Sequence, residues 1–167
     1  MKRLTARPLT REAFQPFGDV METDGADHFA INNGTTERYH DLAGVDVSGE
    51  GGRPLISIFV GQPFKPPLEI KMMERHPLGS QAFMPLDRRP YLVAVALSDD
   101  GDRPREPQIF IASGDQGVNY ARNTWHHPLI SLGAESRFLV VDRGGEGNNL
   151  QEVSYEAGAY IADVEIE

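Results

Sequence analysis

The chain reads as all-β, a sandwich or barrel of short strands. Three observations predict this. Its apolar runs are five to seven residues long and rich in β-branched and aromatic residues, the composition that suits a pleated, half-buried surface. Each run is bounded by Gly, Pro or Asp, and 17 Gly and 12 Pro in 167 residues supply that punctuation. Helix signals are few, and short strands spaced 8–15 residues apart belong to sandwiches and barrels.

The elements follow in order. Thr10-Arg11-Glu12-Ala13-Phe14 offers an N-cap and an acidic first turn, and Pro16 and Gly18 end this helix within two turns. Asn32-Asn33-Gly34 is a turn signal. The clearest strands are Leu55–Val60, Tyr91–Leu97, Gln108–Ala112 and Arg137–Asp142, with weaker candidates at 68–74, 81–86 and 129–132. Ser98–Pro107 reads as a long exposed hairpin loop. The end, Tyr160–Glu167, alternates apolar and acidic residues, which leaves an edge strand, a partner-docking strand or a disordered tail open.

Composition excludes several functions. The absence of cysteine removes disulfides, thiolate zinc sites and thiol nucleophiles, and fits a reducing compartment. A net charge of −9 argues against nucleic-acid binding, which needs basic surface. No run reaches the ~18–20 apolar residues of a membrane span, and residues 1–14 lack the apolar core of a signal peptide. The expectation is a cytoplasmic protein that binds neither membrane nor nucleic acid. Neither G-x-S-x-G nor a phosphate-cradling glycine loop is present, so serine hydrolases and nucleotide enzymes fall behind.

The histidines cluster. In an extended strand Glu74 and His76 project to one face, and Gln81 can return on a neighbouring strand after the Pro77–Gly79 turn. With His126 these make a carboxylate, two imidazoles and an amide oxygen, a set that suits a divalent metal or acid–base chemistry. Otherwise Glu74 and Arg75 are surface charges and His76 caps a turn. His126 and His127 are adjacent, so only one of them enters a shared cavity. Arg143, following Asp142, is placed at a strand end to clamp a carboxylate or to form a surface ion pair. Arg38-Tyr39-His40-Asp41 reads as a solvated or subunit-contact face.

The strings RHPLGSQAFMPL (75–86), GDQGVNYARNTWHHPL (114–129), INNG (31–34), RYHDLA (38–43) and VDRGG (141–145) resemble the ureidoglycolate lyase family, formerly called ureidoglycolate hydrolase, over residues 4 to 147. That resemblance implies a cupin-type β-barrel, a jelly-roll-like double-stranded β-helix with one or two short helices. It implies one domain over 1–167, with an acidic C-terminal tail from about 147. It also implies a homodimer that splits (S)-ureidoglycolate into glyoxylate and urea in allantoin breakdown. On the cupin pattern His-x-His-x(3–4)-Glu, the first His falls on Glu74, the second on His76 and the Glu on Gln81, while the later His falls on His126. These four are the expected catalytic residues and, with nickel implied by the resemblance, the expected metal ligands. Arg75, Tyr120, Arg122 and Arg143 are the candidate substrate-binding residues. The competing readings are a ureidoglycolate amidohydrolase, another small-carboxylate cupin enzyme, and a cupin that binds a small acid without catalysis.

Overall fold

The computed structural model describes residues 1–164. In chain order its strands are β1 (Lys2–Thr5), β2 (Arg7–Pro8), β3 (Gly18–Met21), β4 (His28–Ile31), β5 (Thr36–Tyr39), β6 (Arg53–Gly61), β7 (Pro63–Phe64), β8 (Leu68–Ile70), β9 (Met72–Arg75), β10 (Gln81–Pro85), β11 (Tyr91–Ala96), β12 (Gln108–Ala112), β13 (Gly117–Tyr120), β14 (Trp125–His126), β15 (Ile130–Leu132), β16 (Ser136–Gly144), β17 (Gln151–Ser154) and β18 (Tyr160–Asp163). The predicted helix is α1 (Arg11–Phe14), with Thr10 Oγ1 accepting from the Ala13 amide at 3.1 Å.

The strands stack in layers. A five-stranded sheet runs β3-β13-β10-β16-β6. A larger sheet runs β17-β9-β14-β11-β12-β2, with β15 and β7 continuing from β11. The first core lies between these two: Val20, Phe83, Val118, Phe138 and Val140 meet Tyr91, Val93, Val95 and Phe110. Leu92, Ala94, Ala96 and Ile109 point the other way, onto Leu4, Leu68, Ile70 and Ala162 of a three-stranded sheet β1-β18-β8. Strand β11 is therefore covered on both faces, which is why its sequence is continuously apolar rather than alternating. Each large apolar side chain fully buried there contributes roughly 1.5–3 kcal/mol.

The all-β, cupin-type expectation holds, and the structure sharpens it in two places. The barrel is not closed: among the described residues no backbone ladder joins the five-stranded sheet to the larger one, so the architecture is a layered, cupin-like sandwich. The C-terminal segment is not an edge. Strand β18 pairs with β1 in parallel and with β8 antiparallel, and it turns Ala162 into the second core. The remainder of that segment, residues 165–167, lies outside the described residues. Among the described residues, strands β4 and β5 pair only with each other, through a turn in which Asn32 and Asn33 adopt φ of +53° and +56°. Asn tolerates this left-handed backbone better than most residues.

Candidate active site

Strand alternation aims the site residues into the space between the two main sheets. On β10, Phe83 enters the core, so Gln81, two residues earlier, faces the same way. Cross-strand pairing extends that row: Gln81 lies opposite Tyr120, and Asp142 follows the core residue Val140 on β16 and pairs with Leu55. Facing it, Val95 pairs with His126, which pairs in turn with Glu74. One row therefore runs Leu55–Asp142–Gln81–Tyr120, and the opposing row runs Glu74–His126–Val95.

The four predicted residues meet there. Glu74 Oε1 lies 3.5 Å from His126 Nε2 and 3.9 Å from His76 Nε2. The two imidazole centroids are 5.1 Å apart. Gln81 Oε1 is 3.1 Å from His76 Nε2, while Gln81 Nε2 donates to Asp142 Oδ2 at 3.1 Å and so fixes the amide's orientation. Each imidazole is oriented from behind. His76 Nδ1 donates to the Asn149 carbonyl at 2.8 Å, and His126 Nδ1 donates to the Thr124 carbonyl at 2.9 Å. With Nδ1 carrying the proton, each Nε2 presents a lone pair. His126 Nε2 is buried and has no hydrogen-bond partner, an arrangement that costs about 1–3 kcal/mol unless something fills it. The Tyr120 ring stacks on His126 at 4.1 Å and 10°, which locks the imidazole in place.

The electrostatics follow from this packing. Partial burial opposes ionisation of Glu74, but the neighbouring His126, His76 and His127 outweigh it and hold its carboxyl below the ordinary 4.5. Burial, helped by the Glu74 charge, pushes the Tyr120 phenol far above its usual range, so it stays neutral and available as a donor. His127 turns away from the site. Its amide donates to the Ala94 carbonyl, its Nδ1 donates to the Pro128 carbonyl at 2.7 Å, and its ring packs edge-on to Phe64. Of the adjacent pair, His126 is the one that enters the site.

The candidate arginines are engaged elsewhere. Arg75 alternates with Glu74 and points to the opposite face. Its guanidinium donates to both oxygens of Asp102 at 2.8 and 2.6 Å and to Gln151 Oε1 at 2.6 Å, and it lies 4.2 Å from the Trp125 ring centroid. Arg75, expected to bind substrate, is thus placed on the face opposite Glu74. Arg122 pairs with Asp46 at 2.8 Å. Arg143 is buried and donates to the carbonyls of Gly49, Glu50 and Glu146, where it clamps two loops together.

Sequence reasoning missed three supporting residues. Asp142 carried a signal, since it continues the inward period of Phe138 and Val140. Asn149 and Thr124 act through backbone carbonyls, which leave no residue-type signature.

The lone pairs of Glu74 Oε1, His76 Nε2, His126 Nε2 and Gln81 Oε1 converge, and the ligand atoms of the first three all lie within 4.8 Å of one another. A carboxylate, two imidazoles and an amide oxygen suit a borderline divalent ion. The unpartnered Nε2 and the facing lone pairs of His76 and Gln81 are features such a cation satisfies, so the residues present fit a metal.

Comparison with known proteins points one way. The family model described as ureidoglycolate lyase matches residues 1–162. A protein of Burkholderia mallei (strain NCTC 10229) named ureidoglycolate lyase is 57% identical over 163 residues, covering 98% of this chain and 95% of the relative. One from Rhizobium meliloti (strain 1021), named ureidoglycolate lyase 1, is 59% identical over 160 residues, covering 96% and 94%. A ureidoglycolate lyase of Brucella anthropi is 56% identical over 160 residues, again covering 96% and 94%.

Proposed function

The chain belongs to the ureidoglycolate lyase family, and from that premise we propose that it cleaves (S)-ureidoglycolate to glyoxylate and urea by acid–base chemistry at Glu74, His76, Gln81 and His126. The observation that carries this reading is the convergence of an ionised carboxylate and two backbone-oriented imidazoles between the main sheets.

The reaction needs little more. Ureidoglycolate is a hemiaminal whose central carbon bears a hydroxyl, a carboxylate and a urea nitrogen. Loss of the hydroxyl proton lets that oxygen's electrons form the aldehyde C=O as the C–N bond breaks, and the departing nitrogen takes a proton to become urea. One proton moves from oxygen to nitrogen, no water is consumed and no covalent intermediate forms. Glu74 is ionised at neutral pH and can therefore accept the hydroxyl proton. Its Oε1 faces His126, through which the proton passes towards the leaving nitrogen. His76 and Gln81 orient the hydroxyl, and the neutral Tyr120 phenol holds His126 in plane. Positioned acid–base groups typically contribute about 10²–10⁴-fold.

The same four side chains would hold a divalent ion, nickel by family resemblance. When bound, such an ion polarises the substrate's hydroxyl and carboxylate oxygens.

The assembly we propose is a homodimer. Its support is the outward face of β6 and β16, where Ile56, Ile58, Val60 and Leu139 are exposed on a nine-residue edge strand and its neighbour, a surface suited to a second copy. No helix among the described residues is long and apolar enough to cross a membrane. The cysteine-free composition supports a cytoplasmic location, and the family resemblance supports a place in allantoin breakdown.

The test is addition of ureidoglycolate to purified protein. Glyoxylate released well above the spontaneous rate is the expected result. A raised melting temperature with no release would identify a binding protein and refute the reading.

A further inference from the structure

An anionic substrate entering between Glu74 and Asp142, in a chain of net charge −9, needs a cation near the mouth of the site. Arg75 is held behind β9 by Asp102, Arg122 is paired with Asp46, and Arg143 is spent on loop carbonyls. The β6–β16 ladder holds two other arginines, Arg137 on its outward face and Arg53 on the inward parity. Phe59 pairs with Phe138 and packs on Phe83, which fixes that parity of β6 as the inward one. Ser57, Leu55 and Arg53 share it. Leu55 pairs with Asp142 in the floor of the site, and Arg53 pairs with Gly144 one inward position further out. That step is about 7 Å along the strand, a distance an extended arginine side chain spans. Opposite Arg53 stands Gly144, and the Leu55 side chain lies over that glycine, about 2.9 Å from where a Cβ would sit, so the stem of Arg53 has an apolar surface to lie along towards Asp142. Arg53 is exposed, and no carboxylate among the described residues pairs with it.

We propose that Arg53 is the specificity-determining residue that receives the substrate's carboxylate at the lip of the site. This rests on the lyase reading above. The guanidinium fork matches a carboxylate bidentately, and it places the hydroxyl and the C–N bond inward, towards Glu74 and His126. A ureido compound lacking the carboxylate would forgo this contact, so Arg53 makes the enzyme selective for α-carboxylates.

The test compares wild type, Arg53→Gln and Arg88→Gln by steady-state glyoxylate release. Arg88 is an exposed arginine beyond the end of β10 far from Gln81, paired with the exposed Asp115, so its variant carries the same change in net charge away from the site. Arg53→Gln is expected to raise KM about tenfold, with kcat within threefold of wild type and an unchanged melting temperature. Arg88→Gln is expected to leave KM within twofold. A rise in KM below threefold for Arg53→Gln, an equal rise for Arg88→Gln, or a loss confined to kcat overturns the proposal while leaving the lyase reading intact. Wild-type protein that releases no glyoxylate overturns the lyase reading and this proposal with it.

Discussion

Replacing His126 with Asn isolates the one atom on which the site most depends. The Asn side-chain nitrogen takes the place of Nδ1 and can still donate to the Thr124 carbonyl, whereas nothing replaces Nε2 opposite Glu74. If Nε2 carries the proton or holds the ion, kcat falls by about 10²–10⁴, equivalent to roughly 3–5 kcal/mol of barrier at about 1.36 kcal/mol per decade. The fold loses less. In metal-free protein the stack on Tyr120 at 4.1 Å is worth about 0.5–1.5 kcal/mol, and removing a buried, unpartnered nitrogen returns about 1–3 kcal/mol. The stability of the metal-free variant should therefore stay within about 2 kcal/mol of metal-free wild type. The assay pairs initial rates of glyoxylate release at saturating ureidoglycolate with unfolding in guanidinium chloride, because urea is itself a product. A folded variant that keeps more than about a tenth of wild-type kcat refutes the role given to His126.

Three further outcomes follow from the same geometry. Arg75→Gln should lower stability, measured by denaturant unfolding, through loss of the bidentate Asp102 pair and the Trp125 contact, with KM within twofold of wild type; a large rise in KM without destabilisation would return Arg75 to the substrate. Arg75 holds the Asp102 carboxyl below its ordinary 3.8, so the pair stabilises the fold above that value and the contribution fades as pH falls through the lowered pKa. The difference in melting temperature between wild type and Asp102→Asn should accordingly be full at about pH 6 and close below 3.8, and a gap that persists in acid would contradict the linkage. Elemental analysis of wild type should find a divalent ion that both His76→Asn and His126→Asn lose, and chelation should lower activity; full activity in metal-free protein would assign the chemistry to the side chains alone.

Much of this was legible in the residues, for identifiable reasons. The runs at 55–60, 91–97, 108–112 and 137–142 became strands because their composition and boundaries agree, and Thr10 caps the short helix as its hydroxyl predicts. Glu74 and His76 were legible as a pair from their two-residue spacing on an extended segment. Three things were not. Alternation excluded one of His126 and His127 without saying which; the choice was made by the Ala94 carbonyl and Phe64, both remote in sequence. The fate of each arginine was set by partners far along the chain, such as Asp102 for Arg75 and Asp46 for Arg122. The third layer arose from pairing the first and last strands, β1 with β18, which no local pattern encodes. Apolar–acidic alternation from Tyr160 left an edge strand, a docking strand and a disordered tail open, because a strand covered on one face and paired on both sides alternates in the same way as an edge.

The nitrogen product of (S)-ureidoglycolate tests the central claim most directly. Cleavage of the C–N bond without water releases glyoxylate and urea in equal amounts with no ammonia, and that is the predicted result for purified protein. Ammonia and carbon dioxide appearing with glyoxylate, in place of urea, would mean that water attacks the ureido carbonyl, and would contradict the assignment of Glu74 and His126 to proton transfer between the hydroxyl and the leaving nitrogen.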